Sequence, residues 1–446
     1  MVIGFFISLV TVIIVLGIMI VVHEFGHFAA AKMFGVRVDV FSVGFGKRLL
    51  GFKRGETDYR ISALPFGGYV KMAGENPMES RSGAPDEFMS HPRWQRFVIA
   101  VAGPFMNILF AVVLLTGVFM FHFEQPIYMT KSAVVGWVDK GSPAEKAGIQ
   151  PGDRIVRFEN IQNPTWEDVR DRVMLSANFP VNIAVQRGTQ TIDKSVTPEG
   201  VTKDQIGWAG WWPDSAIIVS AVEPGQAADR AGIQIGDEIF SLNGNPIRST
   251  QSMIRLFQQT TNKPAEMTVV RNGKPIKMTV TPALTDIDGD KKYRIGVGTE
   301  DKTEVGKLSF SKAVAQSVEQ NKRYSLLILE LVKRMVQRPV LIKQMSGPIG
   351  IAKMSGEAVR QKGWIPITLL MAAISLNLGI FNLFPIPILD GGLILLLIIE
   401  ALMRRDISQT VKERIYQAAF VCLILFAGLV IFNDVVKLLP GLHHLQ

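Results

Sequence analysis

At 446 residues, 48% of them hydrophobic and with a mean hydropathy of +0.24, the chain is too long for one ordinary core and too apolar to lie wholly in water. Its net charge of +9 does not indicate a nucleic-acid partner: residues 122–319 carry 23 Lys/Arg against 24 Asp/Glu, and the excess lies beside apolar runs, where lipid headgroups are the expected counter-charge. The single cysteine, Cys422, excludes an intrachain disulfide and selects no compartment.

The first element is an apolar run, residues 3–22, long enough to cross a bilayer. No Lys or Arg precedes it and it exceeds the apolar core of a signal peptide, so a retained helix is expected within 1–33. It leads into HEFGH, residues 23–27. On a helix His23 and His27 stand one turn apart on one face, so both imidazoles reach one Zn2+, with Glu24 beside it as a general base. Ionisable groups at membrane depth persist when they are liganded, paired or facing a polar cavity, which marks the cluster as a site. Two histidines leave a tetrahedral site incomplete; Glu56, Glu75 and Glu79 are candidate third ligands just downstream, and Asp390 is a distant competitor.

Residues 34–95 alternate like strands broken by glycine turns, and a second span is expected at 96–121. Beyond it, GSPAEKAGIQPGDRIV (141–156) recurs as GQAADRAGIQIGDEIF (225–240), an offset of 84 with nine identities in sixteen, so one fold is expected twice. Residues 306–362 read as an amphipathic helical segment on the membrane surface. A third span, 363–392, ends in NLGIFNLFPIPILDGG, where Pro385 and Pro387 interrupt the helix just before Asp390. A turn aspartate before Gly391-Gly392 is the plainer reading of Asp390. A cytoplasmic helix or loop at 393–413 and a fourth span at 414–438 complete the chain. The basic short loops at 34–96 and 404–414 belong inside and the long segment 122–363 outside, so the first and third spans run in the same direction and Asp390 shares a leaflet with HEFGH, near the inner border.

HExxH in the first span, GPFMN (103–107) in the second, NLFPIPILDGG in the third and SGPIGIA (346–352) together resemble the bacterial site-2 proteases. The repeat carries the SPAxxAGIxxGDxI signature and resembles a tandem of PDZ domains, at 127–215 and 216–305. The resemblance implies a polytopic α-helical membrane protein with about four transmembrane helices, a membrane-dipping β-loop and two mainly β PDZ-like domains. It places the protein in a bacterial inner membrane, with its N-terminus and PDZ-like domains periplasmic and the zinc near the cytoplasmic side. It implies a zinc intramembrane endopeptidase with one Zn2+ on His23, His27 and Asp390 and with Glu24 as base. Its expected substrates are single-span membrane proteins: an anti-sigma factor already cut by another protease, and signal-peptide remnants. Asn382 is expected to hold the substrate backbone, with Asn377, Pro385, Pro387 and, in the β-loop, Gly67, Gly68 and Tyr69 also at the substrate. Helix-to-helix hydrogen bonding is the other reading of Asn377 and Asn382. The PDZ-like copies either take peptide C-termini or act only as bulk at the surface. Two further readings compete: an idle PDZ scaffold with a structural metal, and a metal transporter, which would need ionisable groups along a path where the spans offer one cluster.

Overall fold

The computed structural model describes residues 2–75, 83–201, 206–287, 290–337, 347–361 and 363–438. The chain divides into two units, one of Met1–His122 with Lys307–Gln446 and one of Phe123–Gly306.

The first unit opens with α1 (Val2–Phe34). Val12, Val15, Met19, His23, His27 and Ala30 recur at helical spacing and are buried, whereas Val10, Ile14, Ile18 and Phe25 are exposed. One stripe therefore faces protein, and the remainder is apolar surface suited to lipid. Two strands follow, β1 (Val38–Arg54) and β2 (Thr57–Met72). Both bend, so that segments 48–54, 57–62, 38–43 and 68–72 lie side by side in that order, with 68–72 at an edge. Gly44 makes one bend at φ +90, where a Cβ would sit 2.6 Å from the Leu64 carbonyl oxygen. The strands lead to α2 (Arg93–Phe121), which meets α1 backbone to backbone: a Cβ on Gly26 would lie 2.3 Å from the Ala102 carbonyl oxygen.

The second unit contains one fold twice. Short helices α3 (Pro143–Lys146) and α5 (Ala227–Ala231) hold equivalent places, as do α4 (Trp166–Met174) and α6 (Thr250–Thr260), each started by a capping box, from Thr165 and Ser249. The two cores match side chain for side chain: Ile155, Phe158, Ile183 and Val185 in the first correspond to Ile239, Leu242, Met267 and Val269 in the second, each pair 84 residues apart. Burying each of these side chains stabilises its copy by roughly 1.5–3 kcal/mol. The polar strut is repeated as well. Arg187 donates to both oxygens of Asp153 and to the Gly148 carbonyl, and Arg271 does the same to Asp237 and Gly232.

The chain re-enters the first unit with Leu308 N–H donating to the Phe119 carbonyl and continues as α7 (Phe310–Gln337). Thr116 hydrogen-bonds Ser317 at 3.1 Å, and Tyr324 and Ile328 pack on Ala111, Leu376 and Ile380, so one face of this segment lies on neighbouring helices while Phe310, Val318, Leu326 and Leu329 are exposed. Then come α8 (Pro348–Arg360), α9 (Ile365–Asn382), α10 (Asp390–Met403) and α11 (Gln409–Leu438). Among the described residues four helices are long and apolar enough to cross a membrane: Val10–Phe34, Arg93–Phe121, Ile365–Asn382 and Thr410–Val436. The third differs in shape from a continuous span over 363–392, because α9 stops at Asn382 before Pro385 and Pro387, which carry no N–H for a helical ladder. Helix resumes at Asp390 and runs to Met403, within the stretch read from sequence as a cytoplasmic helix or loop at 393–413. α10 heads toward the start of α2, where Arg93 donates to Asp406 at 2.7 Å.

Candidate metal centre

Four elements of the first unit converge on HEFGH. His23 and His27, one turn apart on α1, are 6% and 9% exposed, with rings edge to face at 4.8 Å and Nε2 atoms 3.2 Å apart. Asp390, the first residue of α10, brings Oδ2 to 3.0 Å from His23 Nε2 and Oδ1 to 3.4 Å from His27 Nε2. One ligand atom from each of the three lies within 4.8 Å of the others.

This donor set fits a zinc ion. A carbonyl oxygen only accepts, so the 2.8 Å contact of His27 Nδ1 with the Ile99 carbonyl puts that proton on Nδ1 and leaves a lone pair on Nε2. Asp390 Oδ2 is close to His23 yet makes no hydrogen bond among the described residues, so a buried carboxylate oxygen is left facing two imidazole nitrogens. A cation satisfies all three at once. The neighbouring helix leaves space for it: a Cβ on Gly103 of α2 would lie 2.3 Å from His27 Nε2 and 2.9 Å from His23 Nε2.

The turn between α9 and α10 delivers the carboxylate. Leu389 N–H donates to the Ile386 carbonyl and Gly392 N–H to the Leu389 carbonyl, both at 2.9 Å. The chain folds so tightly that a Cβ on Gly391 would sit 2.2 Å from the Phe384 carbonyl oxygen, and one on Gly392 2.3 Å from that of Ile386. The two glycines after Asp390 are a steric requirement of its placement.

Glu24 is held from the other side. Its Oε2 accepts the Val70 N–H at 3.0 Å, on the edge segment 68–72 of β2. A cavity of about 310 Å³ opens beside the three residues and Glu24, lined further by Tyr69, Met72, Glu75, Asn382 and Leu389. Asn382 Nδ2 lies 3.4 Å from His23 Nε2.

Of the substrate contacts read from sequence, Tyr69 and Asn382 line the cavity, and a Cβ on Gly68 would be 3.8 Å from Glu24 Cγ. Gly67 backs onto the Phe45 ring, Pro387 lies under Gly392, and Pro385 is exposed. Asn377 is exposed on α9 and is not among the lining residues. Of the alternative ligands, Glu75 lines the cavity and accepts from Met72 N–H, Glu56 sits in the β1–β2 turn, and Glu79 lies outside the described residues. Sequence reasoning gave no role to Gly103, Asn107 or the Val70 amide. Gly103 and Asn107 are the ends of GPFMN, the second-span motif that carries part of the resemblance, and that motif was the available signal for the first two.

Comparison with known proteins agrees with this chemistry. The model of peptidase family M50 matches residues 11–426. The chain is 31% identical over 455 residues to the regulator of sigma-E protease RseP of Salmonella typhimurium, covering 97% of this chain and 99% of that protein. It is 31% identical over 460 residues, with 97% and 99% covered, to a Vibrio cholerae protein whose name provisionally assigns it to the zinc metalloproteases. Among solved structures, the PDZ domain of an SdrC-like protein of Listeria monocytogenes matches at 21% identity and a TM-score of 0.17, over 20% of this chain and 90% of that one.

Proposed function

We propose, from the premise that this chain belongs to peptidase family M50 and is a zinc metalloprotease, how its residues divide the work of cutting a peptide bond in a membrane. His23, His27 and Asp390 hold one zinc ion. When bound, the ion supplies Lewis-acid chemistry, acidifying water and polarising the scissile carbonyl. Glu24 accepts the proton of the attacking water and returns it to the leaving amine. The Val70 N–H fixes Oε2 of that carboxylate. The observation that carries this reading is the meeting of three ligand atoms from two distant segments within 4.8 Å, with Glu24 lining the same cavity.

The substrate is a single-span membrane protein whose helix unwinds at the cut, since helical peptide bonds are engaged with one another. The edge segment 68–72 takes up the freed strand, which replaces lost hydrogen bonds and lays the peptide beside Glu24. Tyr69, Gly67, Gly68, Asn382, Pro385 and Pro387 border that path. Asn377 has a weaker claim to it, being exposed on α9. The protein lies in a bacterial inner membrane, the 123–306 unit periplasmic and the zinc near the inner face. A role in sigma-E signalling, with an anti-sigma factor as substrate, follows the name of its Salmonella relative. The two repeats are PDZ-like; a hollow of about 380 Å³ between α6 and strand Val297–Asp301, lined by Phe257, Ile295 and Gly296, would admit a peptide end. An idle scaffold leaves Glu24, aimed into the metal cavity, without a purpose.

The test reconstitutes the full chain in lipid with a single-span substrate. Glu24→Gln is expected to keep its zinc and to lose turnover by roughly 10²–10⁴-fold; wild-type turnover in that variant would reject the assignment.

A further inference from the structure

Asn107 of α2 is buried completely, 0% exposed, and has no part in the chemistry above. Ile99, Gly103 and Asn107 follow one another at four-residue intervals and so share one face of α2. The Ile99 carbonyl takes the Nδ1–H of His27, and Gly103 leaves the space before both Nε2 atoms. Asn107 closes the row: its side-chain amide meets His23 Nδ1 at 3.2 Å, and its own backbone carbonyl is fixed by the Ser375 hydroxyl at 2.8 Å.

That amide contact has two polarities. With the NH2 group donating, a neutral His23 carries its proton on Nε2, pointing into the space that faces His27 and Asp390, and Asn107 Oδ1 has no partner among the described residues. A half-turn of the amide exchanges its two ends. Oδ1 then accepts the Nδ1–H of His23, and Nε2 presents a lone pair. Only the second polarity leaves His23 a ligand through Nε2.

We propose that Asn107 is a positioning residue that holds His23 in its metal-binding tautomer by accepting from Nδ1–H, as the Ile99 carbonyl does for His27. One face of α2 thereby sets the protonation of both histidines, from a backbone oxygen at one end and a side-chain oxygen two turns away. The proposal rests on the reading of His23 and His27 as zinc ligands.

The test measures zinc affinity, by chelator competition, for the full-length protein in lipid nanodiscs. Asn107→Leu, which accepts nothing, is expected to bind zinc about 10–100-fold more weakly. Asn107→Asp, a stronger acceptor of the same length without a donor, is expected to bind at least as tightly as the native protein. Native affinity in Asn107→Leu, or a loss in Asn107→Asp as large as that in Asn107→Leu, would overturn the proposal. If Asn107→Leu does not fold, the Asp variant decides alone: zinc affinity about tenfold or more below native in Asn107→Asp would overturn the proposal. His23→Ala separates the premise: native zinc affinity there removes His23 as a ligand, whereas lost zinc there with unaffected Asn107 variants removes only the positioning role.

Discussion

Gly103 stands opposite His27 so closely that a single methyl group on its α-carbon would fall 2.3 Å from His27 Nε2. The space in front of the imidazoles is thus kept open by the absence of a side chain on another helix. Gly103→Ala should lower zinc affinity by about 10–100-fold while the helices stay assembled. Metal analysis paired with circular dichroism checks it, and full zinc content in the variant would contradict the assigned ion position.

The Glu24–Val70 contact separates positioning of the base from metal binding. Val70 N–H points away from the ladder, toward Glu24, so a proline there removes this hydrogen bond while sparing the pairing with 38–43. Val70→Pro should retain zinc and lose kcat by at least about tenfold, a loss of about 1.4 kcal/mol of transition-state stabilisation. Steady-state cleavage in nanodiscs reads it out, and an unchanged kcat would dismiss the strand as the holder of the base.

The repeated strut predicts a pH dependence in the second copy of the repeat. Asp237, with a side chain only 1% exposed, is opposed in ionising by burial, but hydrogen bonds from Arg271 and from the Gln234 N–H outweigh that and hold its carboxyl below the ordinary value. A lowered native pKa stabilises the fold fully above the unfolded value of about 4 and loses that contribution as pH falls through the native one. Arg271→Leu should therefore destabilise this copy at pH 7 and progressively less below pH 4. Hydrogen exchange across residues 217–280 at the two pH values tests this; a penalty independent of pH would remove Asp237 as its origin.

Asp434 of α11 receives the N–H groups of Gly347, Ile349 and Gly350 at 3.0–3.1 Å, capping the buried start of α8. Asp434→Leu should leave three donors unmet and raise amide exchange in the first turn of α8 by about 10–30-fold, corresponding to about 1.4–2 kcal/mol. Unaltered protection there would mean that water or another acceptor serves that helix end.

How far such features can be read from sequence depends on how local they are. His23 and His27 are one helical turn apart, so spacing alone places them together, and an offset of 84 foretold two cores that match from Ile155/Ile239 to Val185/Val269. The proline pair flagged the interruption before Asp390 but left open whether helix or loop followed over 393–413. Asn377 was grouped with Asn382 as a substrate contact, although five residues turn a helix by about 500°, which leaves the two about 140° apart. Gly103 and Asn107 acquire meaning only from the approach of α2 to α1, and no periodicity within one segment reports which helix will lie against it. The same holds for Val70, whose relevant atom is a backbone hydrogen at a sheet edge and carries no residue identity at all.

His23 and Asp390 stand near opposite ends of the sequence, with the whole 123–306 unit translated between them. A nascent chain still short of residue 390 on the ribosome owns both imidazoles and the base but lacks the carboxylate that joins them. On the proposed ligand set, hydrolytic competence therefore waits until every span but α11 has been made, and a chain that has not reached residue 390 cannot yet cut the membrane proteins inserted beside it.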